Sequence, residues 1–255
     1  MRILVTNDDG IHGPGLKVLE DIALTLSDDV WVVAPDVERS GAGHSLTLSH
    51  PLRYRHISGR HYEVTGTPTD CVIMACRKIM PGLPDLLLSG VNQGQNIADD
   101  VTYSGTIAAA MEGTSLGIKS IALSQCAGIY ENGISFAVAA AHGAGIVQKL
   151  MVMNFGSGNL VNVNFPDCRV DDVAGIAVTS QGKRDQNYMV VDERMDNRGE
   201  AYYWMSFKRD KGVPPRGTDL AAVFNKQISI TPLHMNLTQN EMLGALAATF
   251  VESNT

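Results

Sequence analysis

Short apolar runs alternate with stretches of helical periodicity along most of this chain, and that alternation restricts the fold more than any single residue does. "RILVT" (2–6), "VWVVAP" (30–35), "PDLLLSG" (84–90), "IKSIALS" (118–124) and "LVNVNFP" (160–166) have the length of strands buried between layers. Between the first two, Gly13-Pro14-Gly15 opens a segment with Leu16, Leu19, Ile22, Ala23 and Leu26 at helical spacing. "PTDCVIMACRKIM" (68–80) starts with Pro and a Thr/Asp pair and reads as a second helix, "TIAAAMEGTSLG" (106–117) as a third, and 133–150 as a fourth. "LRYRHI" and "HYEV" flank Ser58-Gly59-Arg60 as a hairpin. Strands alternating with helices predict a doubly wound α/β fold with a mostly parallel sheet. The chain's 255 residues suit one large α/β domain, or a core with a small appendage.

The pattern changes near residue 180. "QGKRDQNYMVVDERMDNRGE" is polar and charged, "AYYWMSF" is an aromatic strand, and "KRDKGVPPRGTD" is a loop. "QISITPLHMNLT" reads as a closing strand and 238–251 as a closing helix. The reading divides the chain into a core, 1–180, and a segment, 181–255, that holds an arm, a closing strand and a helix. Polar loops around one aromatic strand bury little by themselves. The arm either packs on a partner subunit or is an ordinary surface hairpin, and the residues alone leave both open.

Net charge is −7, and no basic stripe interrupts it, so a nucleic-acid polymer is not an expected partner. Cys71, Cys76, Cys126 and Cys168 lack zinc-ligand spacing and read as free thiols. The first apolar run reaches carboxylates too soon for a signal peptide, and the helix around 135–153 is interrupted by His142, Gln148 and Lys149. The expectation is a cytoplasmic protein without a membrane partner.

In an open α/β sheet, ligands bind beyond the carboxyl ends of the strands. Asn7, Asp8 and Asp9 follow the first strand; Asp36, Glu38, Arg39, Ser40, Gly41 and Gly43 follow the second; Ser89, Asn92, Asn96, Asp99 and Asp100 follow the third. Adjacent carboxylates repel, so Asp8-Asp9 is either a solvated turn or a pair that holds a cation. Carboxylate, amide and hydroxyl oxygens suit Mg²⁺, Mn²⁺ or Ca²⁺. Ser104, Gly105 and Thr106 open the Ala-rich helix, where an anion can sit at the helix N-terminus; a plain Ser/Thr cap is the alternative. A side chain at Gly105 is expected to crowd such an anion without reaching the metal ligands. His12 and His44 flank the loops as conceivable acid or base groups, and His142 reads as a core residue.

Other chemistries fit poorly. "GIHGPG" has its glycines in the wrong order for a dinucleotide fingerprint, with two carboxylates where the pyrophosphate would lie. Two adjacent Asp residues do not match the spacing of a phospho-aspartyl enzyme. There is no GxxxxGK[ST] loop.

"NDDG", "VVAPDVERSGAGHSLT", "GTPTDCV", "SGVNQGQN", "YSGTIAAAMEG" and "ISITPLH" together resemble, in order and over essentially the whole chain, the stationary-phase survival protein SurE family of metal-dependent nucleotidases. The resemblance implies a Rossmann-like core, a projecting hairpin used in oligomerisation and one divalent cation per subunit. It implies hydrolysis of nucleoside 5′- and 3′-monophosphates, with short-chain polyphosphate as a further substrate class, by a homodimer or homotetramer. Carried over by motif, the metal ligands are Asp8, Asp9, Ser40 and Asn92. Asp8 and Asp9 are also the catalytic pair, and Asn96, Ser104, Gly105 and Thr106 bind the phosphate. A non-catalytic nucleotide-binding module on the same fold is the alternative.

Overall fold

The computed structural model of the chain describes residues 1–127, 135–184, 189–207 and 213–251. Its elements in chain order begin β1 (Arg2–Thr6), α1 (Pro14–Leu24), β2 (Asp29–Pro35), β3 (Tyr54–Ser58), β4 (His61–Val64) and α2 (Pro68–Met74). They continue with β5 (Leu86–Gln93), α3 (Gly105–Ser115), β6 (Lys119–Gln125), α4 (Ala137–Met151), β7 (Asn159–Phe165) and β8 (Ile176–Val178). The last are β9 (Met189–Met195), β10 (Ala201–Phe207), α5 (Asp219–Phe224), β11 (Ile228–His234) and α6 (Asn240–Phe250). The expected first residues of α4, 133 and 134, and part of the loop at 208–219 lie outside the described residues.

Nine strands form one sheet in the order β3-β4-β2-β1-β5-β6-β7-β11-β8. The central strands β2, β1, β5, β6 and β7 pair in parallel, as crossover helices require. Two pairings are antiparallel: the hairpin β3/β4, and β11 on β7. The central strands are buried on both faces, and alternation along β1 shows how. Ile3 and Val5 pack with α1 and α4 residues such as Leu19 and Ile146, while Leu4 packs on the other face with Ile107 of α3 and Val72 of α2. Close layer packing fixes some residue types absolutely. A Cβ on Gly15 would lie 1.9 Å from the Val91 carbonyl oxygen, so α1 can approach β5 only with glycine there.

Several details depart from the sequence reading. β5 runs on through Gln93, so Asn92 lies at a strand end rather than in the loop. The helix expected over 68–80 is α-helical only to Met74 and finishes as a π-turn, Ala75–Ile79. The short β8 and α5 were not legible. The hairpin expected from the resemblance is present as β9 and β10, paired antiparallel as a separate sheet, although the residues alone marked only the aromatic strand.

Candidate functional site

The first polar cluster forms where β1 ends. Asn7 is fully buried, and its Nδ2 donates to the Gly10 carbonyl at 2.9 Å, closing the turn that carries Asp8 and Asp9. Gly10 makes this turn at φ 91°, a left-handed conformation that side chains resist. Each neighbouring strand end is then tied to the pair. The Arg39 N–H, beside Ser40, donates to the Asp8 carbonyl at 2.8 Å. The Gln93 N–H, beside Asn92, donates to Asp9 Oδ2 at 3.2 Å. The Thr106 hydroxyl, at the start of α3, donates to Asp8 Oδ1 at 2.5 Å. Chain segments far apart in sequence thus converge on two adjacent carboxylates.

Their electrostatics are unfavourable. Burial pushes the Asp8 carboxyl above the usual carboxylate range, against the opposing hydrogen bond from Thr106. Asp9 is pushed up to about 6, first by burial and then by the charge of Asp8. Nearby, the Thr6 and Ser89 hydroxyls and Asn7 Oδ1 are buried without a hydrogen-bond partner among the described residues. Among those residues no three His, Cys, Asp or Glu side chains group as a metal cluster. A cation here would therefore be held by two carboxylates and neutral oxygens. That donor set fits a hard divalent ion: a positive charge would relieve both desolvation and repulsion. Ser40 and Asn92 retain oxygen lone pairs for such a role. The Ser40 hydroxyl donates to Glu38 Oε1 at 2.9 Å, and Asn92 Nδ2 donates to the Gly94 carbonyl at 3.0 Å.

The residues read as a phosphate site are placed differently from one another. Ser104 is the N-cap of α3, its Oγ accepting from the Ile107 N–H at 3.1 Å. Gly105 abuts the carboxylates: a Cβ there would lie 2.9 Å from Asp8 Cβ and 3.1 Å from Asp8 Oδ2. The expectation that a side chain at Gly105 would not reach the metal ligands is thereby overturned, because helix start and carboxylate are in contact. Asn96 is nearly buried and turned inward, with Nδ2 donating to Ser124 Oγ at 2.9 Å. Its own peptide groups are gripped by β7: the Asn96 N–H donates to Asn164 Oδ1, and its carbonyl accepts from both Asn162 and Asn164.

His44 faces Glu112 of α3 at 3.1 Å, and His12 is exposed. His142, expected in the core, is half-buried, with Nε2 shielded from water. The "GTPTDCV" motif has a structural use. Thr67 and Asp70 form a reciprocal cap of α2, and Asp70 also accepts from the Thr47 N–H, fastening the loop beyond Ser40. Sequence reasoning missed the Asn162–Asn164 grip. Two Asn residues at alternate positions of an otherwise apolar run, "LVNVNF", were the available signal.

A profile of the family described as "Survival protein SurE" matches residues 3–188. A protein named 5'-nucleotidase SurE from Parvibaculum lavamentivorans is 56% identical over 256 residues, covering 97% of this chain and 92% of its own. Another of that name from Methylobacterium nodulans is 53% identical over 252 residues, covering 98% of this chain and 100% of its own. The crystal structure of the SurE protein from Aquifex aeolicus superposes with a TM-score of 0.84 at 41% identity, covering 98% of this chain and 99% of that one. With its core sheet, carboxylate turn and separate hairpin in place, this chain belongs to the SurE family.

Proposed function

We propose that the chain is a divalent-metal-dependent phosphohydrolase acting on nucleoside monophosphates. The carrying observation is the Asp8–Asp9 pair, raised in pKa by burial and bonded from three further segments by the Arg39 N–H, the Gln93 N–H and the Thr106 hydroxyl. The names of the relatives, 5'-nucleotidase, support the reaction class. Asp8, Asp9, Ser40 and Asn92 would hold one Mg²⁺, Mn²⁺ or Ca²⁺. A bound cation of this kind polarises a phosphoryl oxygen and makes a coordinated water more acidic. The protein's own part is positioning. Thr106 fixes the Asp8 carboxylate through its hydroxyl, Asn7 sets the turn, and the buried edge limits competing water. Ser104, Gly105 and Thr106, with Asn96, form the phosphate side, where the helix start favours negative charge. Cleavage of 3′-monophosphates and of short-chain polyphosphate belongs to the same reading, since neither requires a different donor set.

The reading includes self-assembly as a homodimer or homotetramer through the arm. Trp204 is 57% and Met205 77% exposed on β10, and Val191 and Met195 are exposed on β9. α6 buries none of its residues, with Met242, Leu243, Leu246 and Phe250 exposed. Apolar surface of this extent is unusual on a lone subunit. Among the described residues no helix is long and apolar enough to cross a membrane, so a bilayer-spanning role has no support there.

The test is a metal-by-substrate panel. Protein stripped with EDTA is supplied with Mg²⁺, Mn²⁺ or Ca²⁺, and phosphate release is measured from nucleoside 5′- and 3′-monophosphates and tripolyphosphate. Metal-restored release from nucleotides is the expected result. Tight nucleotide binding without release under every metal would leave the binding-module alternative.

A further inference from the structure

Residues 181–184, which lead from the sheet toward the arm, are bonded to the chain segment that ends in Ser104. Gln181 Nε2 donates to the Ala98 carbonyl at 2.9 Å. The Gly182 N–H donates to Asp219 Oδ1 at 2.8 Å, and the other oxygen of Asp219 accepts from the Ala98 N–H, also at 2.8 Å. Ala98 is thus gripped on both peptide groups at φ 53°, a left-handed conformation a non-glycine residue resists. Next, the Arg184 N–H donates to Asp99 Oδ2 at 2.7 Å. The Arg184 guanidinium takes both carboxylate oxygens of Asp100, Nε on Oδ1 at 2.9 Å and Nη2 on Oδ2.

Asp100 also serves the site through its backbone. Its carbonyl accepts from the Tyr103 N–H at 3.0 Å and the Ser104 N–H at 3.1 Å. One residue therefore holds a two-point guanidinium on its side chain and the entry to α3 on its main chain. The pair is shielded, with side chains 13% and 20% exposed, so its forked geometry constrains more than a solvated ion pair would. The fork lies on Asp100, whose main chain leads directly into α3, so its effect is on the phosphate side.

We propose that Arg184 is a positioning residue for the phosphate-binding turn: its fork on Asp100 fixes the segment that presents Ser104 and Gly105 to substrate. The proposal rests on the nucleotidase reading for its kinetic effect, while its binding effect is measurable without turnover. The full-length protein is compared with Arg184→Met and Arg184→Lys. Both variants are expected to raise KM for a nucleoside 5′-monophosphate and the dissociation constant for inorganic phosphate about tenfold. kcat should stay within about twofold, because the Arg39 and Gln93 N–H groups still hold Asp8 and Asp9. Free guanidinium at low millimolar concentration should restore phosphate affinity in Arg184→Met and leave the parent protein unchanged. A merely structural ion pair would lower Tm and leave KM and phosphate affinity unmoved, which overturns the proposal, as does a weakening that guanidinium fails to reverse. Should Arg184→Met not fold, Arg184→Lys carries the comparison, since it keeps the charge and loses only the fork. A parent protein that binds phosphate but releases none from any nucleotide sinks the nucleotidase reading, and the phosphate titrations still decide Arg184.

Discussion

The carboxyl edge of the large sheet and the two-stranded arm break opposite rules. At the edge, polar groups are buried: Asn7, Ser89 and Thr6 are inaccessible to water, and Asp8 nearly so. On the arm, apolar groups are out in water, among them Val191 and Met195 of β9 and Tyr203, Trp204 and Met205 of β10. Each arrangement is costly for an isolated chain, the first through desolvation and the second through unburied apolar surface. The edge is assembled from segments up to 98 positions apart, as in the Thr106–Asp8 bond, whereas the arm is a local ladder. Where a protein carries such costs, binding offsets them, and the kind of cost indicates the kind of ligand. Buried oxygens point to a cation and an anion held together; exposed aromatic and aliphatic side chains point to another protein surface.

The largest separation of the two regions comes from removing one charge. Asp9→Asn should lower kcat for nucleotides by about 10³-fold or more, since one of two charged ligands is lost. Its sedimentation behaviour should match the parent. Turnover near the parental value after metal stripping and Mn²⁺ addition would mean that the carboxylates do not share an ion.

Matched glycine changes sharpen the contrast. Gly105→Val places a Cβ 2.9 Å from Asp8 Cβ, and should reduce kcat/KM about 100-fold while also weakening Mn²⁺ binding in calorimetric titration. Gly199, in the arm's turn, has nothing within 4 Å of a Cβ, although its φ is 84°. Gly199→Ala should leave kcat/KM within about twofold and lower stability by about 1 kcal/mol through backbone strain alone. Equal losses at both glycines would erase the distinction drawn between the regions.

On the arm, Trp204→Glu combined with Met205→Glu should move the mass seen by light scattering toward the 27.4 kDa of one chain. An unchanged mass would assign assembly to another surface, α6 being the first to test. The smallest effect is on stability at the edge. With Asp9 raised from 3.8 to about 6, folded protein free of metal binds more protons than unfolded protein between those values. Its stability should therefore fall as pH rises from about 4 through 6, and remain low above that. Full conversion of the shift would give about 3 kcal/mol, and partial exposure of Asp9 to water reduces this to about 1 kcal/mol. Thermal melts across pH should show the decline, Asp9→Asn should reduce it to the part that Asp8 contributes, and Mn²⁺ should reverse it.

Much of the edge was legible before the structure. Strand ends are visible as apolar runs meeting polar residues, and the topology rule brings those ends together, so Asp8, Asp9, Ser40 and Asn92 could be grouped without coordinates. What could not be read was which partner each side chain takes. Thr106 donates to Asp8, and Asn96 turns toward Ser124 and β7; those choices depend on rotamers and on register between β6 and β7, which spacing does not encode. The arm was half legible. β10 declared itself by its aromatic residues, but β9, "MVVDERM", carries three consecutive charges, Asp192-Glu193-Arg194, and reads as loop until its partner strand supplies the ladder. β8 spans only Ile176–Val178, too short for any periodicity to register.

The bond from Asp219 to the Ala98 N–H spans 121 positions of the chain. At the usual pace of synthesis, 5–20 residues per second, roughly 6–24 s pass between the making of one end and the other. Through most of that interval a nascent chain already possesses Asp8, Asp9, Asn92 and Ser104, yet lacks Asp219, one of the two residues that hold the left-handed turn at Ala98. The strands beneath can form in order from the N-terminus, while the loop above them waits for almost the last part of the message. A ribosome that stalls between residues 184 and 219 therefore leaves the Arg184 fork able to close on Asp100, while Ala98 is held through its carbonyl by Gln181 and lacks the carboxylate for its N–H.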